Sequence, residues 1–380
     1  MLAFNLTAAE FRGQFFEKNV RLQKGALSEA VLGWSDLDQL LYQIDAGEPA
    51  LKLFNQGAVP DHAYTEDVVE MGQRRRRLNK ARFYGQMRSG ATLVINRFEN
   101  FSMPARRLCA EVAAFAGLQT MSNGYLSFGG RGTFGKHWDT HDVFAIQMMG
   151  RKRWQVFAPT LPLPLPQHTS ERAAPEGATH LVLDCVLERG DLLYIPRGWW
   201  HQTIPLEESS FHLSVGTYAA TVYDFFMWAC SRQLPGLQSA RAAFSSVGDR
   251  DAVMDDLLRG LNGALRDPAL WEDFQRELVQ RERLNSEFQL GVFLDPASHG
   301  LPPGTTVRLT SCYPQGGDQP EVLVNGARLR LDPASHAVIN ALRGAPLRFH
   351  ELCGRLAQTP KNALERAVLD LAQHDIVTLS

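Results

Sequence analysis

Apolar and polar positions along the chain change their period twice. Up to about residue 120, short helical and extended patterns alternate, and Arg106 to Gly117 carries apolar residues at helical spacing with Gly117 as a stop. From about 121 to 220 the pattern becomes short apolar runs separated by Gly and Pro: NGYLSF, DVFAIQMM, KRWQVFA, HLVLDCVL, DLLYI, WWHQTI and FHLSVGTY. Strands at such close spacing predict a sandwich or barrel. The insert LPLPLPQHTSERAAPEG (161–177) is predicted to be a loop at the barrel mouth, because its prolines have no N–H to give a ladder.

After Tyr218 the period turns helical again. VYDFFMWACSRQL, DAVMDDLLRGLNGAL and LWEDFQRELVQRERL each predict a helix, the last opened by the cap pair Asp267-Pro268. Their apolar stripes are too wide for isolated helices, so they must pack on each other, on the barrel or on a second copy of the chain. PASHGLPPGTT (296–306) reads as a linker, and EVLVNGARLRL as a hairpin turning on Asn325-Gly326. Two further helices are expected after Asp332-Pro333 and Thr359-Pro360, with Leu364, Ala367, Val368 and Leu371 on one face of the second. Three regions follow: 1–218 with its barrel core at about 121–218, a helical segment 219–295, and a small α/β module 296–380 of winged-helix character.

Composition narrows the class without sharpening it. A chain of 380 residues exceeds one compact core, and 44% apolar with 21% charged residues is ordinary for a globular protein. No apolar run approaches the roughly 20 residues that cross a bilayer, and the N-terminus lacks a basic leader followed by an apolar block. The five cysteines are scattered and form no CxxC pair, which fits reduced thiols in a cytoplasmic protein. A net charge of −2 argues against a protein that coats nucleic acid. Arg74 to Arg77 is the most basic run; a solvated face explains it, and docking to an acidic or RNA-bearing substrate is the functional alternative.

The chemistry concentrates in two strings, FGKHWDTHDVFAIQMMGRKRWQVF and GDLLYIPRGWWH. In extended chain, residues two apart face the same side, so His137 and Asp139 can grip one ion. His201 follows a glycine–aspartate turn, the strand LLYI and the turn Pro196-Arg197-Gly198. Two imidazoles and a carboxylate on one face of a metal leave three positions open, which suits non-haem Fe(II). The alternative register through His141 and Asp142 is rejected, because Asp142 points opposite to Asp139. His212 shares a face with Ser214 but reads as a core histidine, since the triad is already complete.

The strings HWDTHDVFAIQMMGRKRW and GDLLYIPRGWWH resemble those of JmjC-type oxygenases, specifically the ribosomal oxygenases with their bacterial protein-arginine and eukaryotic protein-histidine hydroxylases. The resemblance implies an α+β fold: a double-stranded β-helix (cupin) barrel with flanking helices, a helical dimerisation segment and a winged-helix-like module. It implies Fe(II), with 2-oxoglutarate and O2 as cosubstrates, and Lys152 as the cation on the far carboxylate of 2-oxoglutarate, with Arg151 or Arg153 as substitutes. Asn123, Tyr125 and Ser214 occupy positions where the family offers polar contacts to that cosubstrate.

The resemblance also implies a protein substrate, a ribosomal protein, with arginine favoured over histidine, and a homodimer. The C-terminal module lacks a basic recognition helix, so direct DNA binding is not expected. The chain departs from the arginine-hydroxylase pattern in having Gly135-Lys136 before the first histidine instead of a Gly-Pro step, within a longer lead-in, GGRGTFGK. Two other readings stay open: a tailoring hydroxylase of a peptide natural product or free amino acid, and a non-catalytic metal-binding cupin. Lysine demethylation would use the same chemistry.

Overall fold

Each of the apolar segments between 121 and 220 folds as a strand, in a computed structural model that describes residues 1–46, 50–129, 134–170, 177–246, 248–293, 300–311 and 321–380. The chain divides into two compact units, Met1–Ala219 and Ala220–Ser380. In the first, the strands are β1 (Arg21–Gln23), β2 (Leu51–Phe54), β3 (Thr65–Glu70), β4 (Gln73–Leu78), β5 (Thr92–Asn96) and β6 (Gln119–Ser127). They continue with β7 (Asp142–Met149), β8 (Lys152–Phe157), β9 (Leu181–Leu187), β10 (Leu192–Ile195), β11 (Trp200–Pro205) and β12 (Ser210–Tyr218). A seven-stranded sheet runs β1-β10-β7-β12-β6-β5-β2, and a three-stranded sheet runs β11-β8-β9.

Strand alternation decides what lies between these sheets. On β7, Phe144, Ile146 and Met148 join the apolar cluster that also holds Phe11, Leu37, Phe83 and Leu108. Those four come from helices α1 (Ala8–Gln14), α2 (Trp34–Gln43), α3 (Lys80–Arg88) and α4 (Met103–Ala116), which therefore cover the outer face of the large sheet. The intervening Val143 and Ala145 join Trp154 and Val156 of β8, Leu187 of β9, and Leu193 and Ile195 of β10 in a second cluster. Because that cluster draws on both sheets, it is the interior between them. A strand buried on both faces needs an unbroken apolar run, which is what DVFAIQMM supplies.

β12 follows the same rule with one difference. Phe211, Leu213 and Val215 face the helices, so His212 and Ser214 face inward. Directly opposite them on β6 stand Tyr125 and Asn123. The interior thus has an apolar floor and a polar wall.

The arginine run lies on β4, which pairs with β3 in a two-stranded hairpin. Arg74 and Arg76 pair with Asp67, and Arg77 pairs with Glu66. Most of this charge is met locally by exposed ion pairs, which contribute little to stability.

In the second unit, α5 (Val222–Gln233), α6 (Gln238–Arg241), α7 (Arg250–Leu265), α8 (Pro268–Arg281) and α9 (Leu290–Phe293) come first. Phe225, Trp228 and Ala229 of α5 pack on Leu270 and Phe274 of α8. Asp267 caps α8 through Ala269 N, with Pro268 in its first turn. A separate core gathers residues of β13 (Thr306–Leu309), β14 (Glu321–Val324), α10 (Pro333–Leu342), α11 (Phe349–Arg355), α12 (Lys361–Gln373) and β17 (Val377–Leu379). β15 (Ala327–Arg330) pairs with β14 across Asn325-Gly326, both at positive φ, as a tight hairpin requires. β16 (Leu347–Arg348) joins β13.

Where two helices were expected after the hairpin there are three. α11, FHELCGR, buries only Phe349 and Leu352, too few apolar positions to show a period. Part of the expected linker (296–299) lies outside the described residues, as does the glycine-rich stretch 130–133 before His137. No helix among the described residues is long and apolar enough to cross a membrane.

Candidate metal centre

His137 lies just before β7 in irregular chain, not within a strand. A single antiparallel bridge ties it to His201, the second residue of β11. The two backbones exchange both hydrogen bonds, His137 N to His201 O at 3.0 Å and His201 N to His137 O at 2.7 Å. Gly198 N adds a third bond, to Asp139 O at 2.9 Å. Gly198 sits at φ +83°, and a Cβ there would fall 2.5 Å from Leu161 O, so the turn before His201 demands glycine. One donor atom each from His137, Asp139 and His201 lies within 4.8 Å of the others, and Asp139 Oδ2 stands 3.5 Å from His201 Nε2.

Both imidazoles are oriented by the backbone. His137 Nδ1 is 2.9 Å from Gly135 O, and His201 Nδ1 is 3.0 Å from Trp199 O. A carbonyl can only accept, so Nδ1 carries the proton and Nε2 keeps its lone pair for a metal. Burial, helped by the neighbouring His137, pulls the His201 pKa down to about 4, so its ring is neutral at pH 7. Burial alone would raise the Asp139 pKa, yet the pull of His201, with His141 and His137, holds it below the ordinary carboxylate value. Two imidazoles and one carboxylate are a donor set that suits a divalent first-row metal.

The predicted cosubstrate residues converge on the same interior. Lys152 is 2% exposed and shares its strand face with Trp154 and Val156, which pair across to Thr203 and His201 of β11. Its ammonium lies 3.3 Å from His212 Nδ1, and no carboxylate pairs with it among the described residues. Burial alone pulls its pKa down to about 7. Tyr125 stacks on His212 with ring centroids 4.9 Å apart, and burial pushes its hydroxyl up to about 12. Asn123 accepts from Arg97 N at 3.2 Å and faces Ser214 across the strand pair. Trp154 lies between the clusters, 6.2 Å from the His201 ring and 5.2 Å from the His212 ring. Its indole Nε1 is buried with no partner among the described residues, as is Gln147 Oε1. Arg151 and Arg153, the alternatives to Lys152, are instead engaged by Glu208 and Asp184 at exposed sites.

Residues 94–225 match the family model described as the JmjC domain. This stretch is a JmjC domain. Among curated proteins, the chain is 32% identical over 139 residues to the bifunctional lysine-specific demethylase and histidyl-hydroxylase NO66 of Drosophila persimilis, covering 36% of this chain and 20% of that protein. It is 27% identical over 257 residues to ribosomal oxygenase 2 of Rattus norvegicus, covering 66% of this chain and 52% of that one. The chain thus spans about a fifth to about half the length of these relatives.

Among solved structures, Escherichia coli ycfD superposes with a TM-score of 0.62 at 19% identity, covering 100% of this chain and 99% of the other. The same protein, described as a ribosomal oxygenase in complex with cobalt and 2-oxoglutarate, superposes at 0.58 and 18% over the whole of both chains. At these identities the likeness carries the fold, which is the α+β JmjC/cupin architecture.

Reading the strings alone left Asp142 without a role once it was rejected as a ligand. It is buried at the start of β7, with Oδ1 accepting from Arg197 N and Oδ2 from the Tyr194 hydroxyl, each at 2.8 Å. Burial pushes its carboxyl up to about 6, against the pull of those bonds. Trp138 is buried against Trp200, and His141 stacks on Tyr218.

Proposed function

We propose that the protein is an Fe(II)- and 2-oxoglutarate-dependent oxygenase that hydroxylates an amino-acid side chain in a protein, specifically a ribosomal protein. One juxtaposition carries this reading. A donor cluster of two imidazoles and one carboxylate and a buried lysine with no carboxylate partner among the described residues face one interior, with the Trp154 indole between them. A metal fits the first and the far carboxylate of a short dicarboxylate fits the second. His137, Asp139 and His201 would hold the metal; Lys152 would hold the carboxylate, with Tyr125, Asn123 and Ser214 as polar neighbours.

Iron, when bound, supplies with O2 the oxidising power that puts one oxygen atom into an unactivated C–H bond and the other into succinate, with release of CO2. The chain's own work is positioning. Gly135 O and Trp199 O fix the two imidazoles. Lys152 gains a charge partner when the dicarboxylate arrives, and a desolvated dicarboxylate needs one. Trp154, Val156 and Ala145 line the interior with apolar surface and exclude water.

The resemblance to bacterial arginine hydroxylases favours arginine as the modified residue. The relatives named histidyl-hydroxylases favour histidine, and the same name keeps lysine demethylation in view. Intact-mass comparison of ribosomal proteins from wild-type and deletion cells separates these outcomes. A protein lighter by one oxygen atom in the deletion strain, with the change mapped to arginine or histidine, supports the proposal; no difference in any ribosomal protein refutes the substrate class.

Residues 219–295 are proposed to serve as a dimerisation segment. Val222, Tyr223, Phe226 and Met227 of α5 are exposed at i, i+1, i+4 and i+5, a single apolar stripe. A monomer by size-exclusion light scattering would refute this. Residues 296–380, with three helices and short antiparallel strands, are proposed as the winged-helix-like module.

A further inference from the structure

The turn that delivers His201 is held to the loop that carries His137 and Asp139 by a short ladder. Three of its rungs are the main-chain bonds between His137 and His201 and from Gly198 to Asp139. The fourth, from Arg197 N to Asp142 Oδ1 at 2.8 Å, is made by a side chain. Asp142 is 3% exposed, and its other oxygen takes the Tyr194 hydroxyl, which itself accepts from Glu17 N at 2.9 Å. Glu17 in turn pairs with the Arg197 guanidinium at 2.6 Å, and Arg197 also donates to Pro164 O at 3.1 Å. A closed ring of Asp142, Tyr194, Glu17 and Arg197 thus links β7, β10, the chain after α1 and the proline-rich loop. Every buried polar atom named in it has a partner.

We infer that Asp142 is a positioning residue for the metal centre, fixing the distance between the His201 turn and the HxD loop through its bond to Arg197 N. This rests on the metal reading proposed above. The carboxylate is suited to the task because a backbone N–H has one direction. An acceptor held at the start of β7, three residues after Asp139, therefore sets the height of residues 197–198 over the loop. Without it, the turn keeps Gly198 N on Asp139 O but loses the restraint on its outer side. Groups that orient metal ligands typically cost 10–100-fold in metal affinity when removed.

The test is Mn(II) affinity of the metal-free full-length protein, read by EPR of free Mn(II), beside thermal melting. Asp142→Leu keeps bulk and removes both acceptors; it should weaken Mn(II) binding by about 10–100-fold. Asp142→Asn keeps an oxygen for Arg197 N and should stay within about threefold of wild type, while Tyr194→Phe, which spares that bond, should lower Tm without moving Mn(II) affinity beyond the same margin. Should the leucine variant not fold, Asp142→Glu, which keeps the charge but shifts the oxygens by one methylene, should weaken Mn(II) by about tenfold. Wild-type affinity in Asp142→Leu or Asp142→Glu overturns the inference. So does a metal affinity that tracks Tm alike in the Asp142 and Tyr194 variants. Wild-type protein that binds no Mn(II), or His201→Ala that binds it normally, defeats the metal reading itself, a different result.

Discussion

The His137–Asp139–His201 cluster and the Lys152–His212 pair occupy one interior, and Trp154 touches both rings that border it. The first holds a carboxylate and is half-open: Asp139 is about a third exposed, while His201 is buried. The second holds a lysine whose pKa burial pulls down to about 7, with no carboxylate paired to it among the described residues. Keeping a lysine there costs stability, since its displacement from the ordinary value corresponds to about 5 kcal/mol. Buried groups displaced in this way cluster at ligand-binding and catalytic sites. On the proposed reading the cluster takes a cation and the pair an anion, so one molecule that is anionic at one end and chelating at the other would satisfy both.

The largest expected effect breaks the first site alone. His201→Ala should weaken Mn(II) binding by more than about 100-fold, beyond the range of substitutions that merely orient ligands, as checked by calorimetric titration. Next comes the second site. Lys152→Met should weaken 2-oxoglutarate by about 10–100-fold, the worth of a charge-assisted bond, and leave Mn(II) affinity within about twofold. It should also raise Tm, because a buried charge is removed; a lower Tm with unchanged 2-oxoglutarate affinity would show that the two sites are not complementary.

Acidity sharpens the comparison further. In the ligand-free fold the Lys152 pKa lies at about 7, well below its unfolded value, so folding disfavours its charged form. The resulting penalty is full below pH 7 and is relieved as pH climbs towards the unfolded value. Anion binding needs the charged form, so 2-oxoglutarate affinity should be flat below pH 7 and fall by up to about tenfold per pH unit above it. Lys152→Arg, charged throughout, should flatten that fall. The smallest effect belongs to Ser214→Ala, about threefold to tenfold on 2-oxoglutarate affinity as one neutral hydrogen bond is lost.

How much of this was legible in the sequence depends on how local each signal is. The triad could be read because two of its members sit two residues apart and the third follows a turn–strand–turn string; the structure brings all three donor atoms together. Lys152 was named by the resemblance to the ribosomal oxygenases, and strand alternation agrees with it by placing the residue on the face of Trp154 and Val156. The bridge geometry at His137 differs from the expected strand, yet the same-side argument for His137 and Asp139 reaches the same cluster. The ring through Asp142 was not legible, because Glu17 and Arg197 stand 180 residues apart and nothing local to HWDTHD points to either. His212 is buried as the expected core histidine, but its Nδ1 contact with the Lys152 ammonium has no local sequence signal, because the two stand 60 residues apart. α11 has no periodic signal in the sequence, because two buried apolar residues do not make a period.

Succinate formation from 2-oxoglutarate under air, with Fe(II) and ascorbate, in wild type and in His201→Ala side by side, shows whether the His137–Asp139–His201 cluster is a catalytic metal centre. Wild type should give Fe(II)-dependent succinate, and the variant none above background. Succinate formation that survives His201→Ala undiminished, or a metal-loaded wild type that binds 2-oxoglutarate and never turns it over, would contradict it.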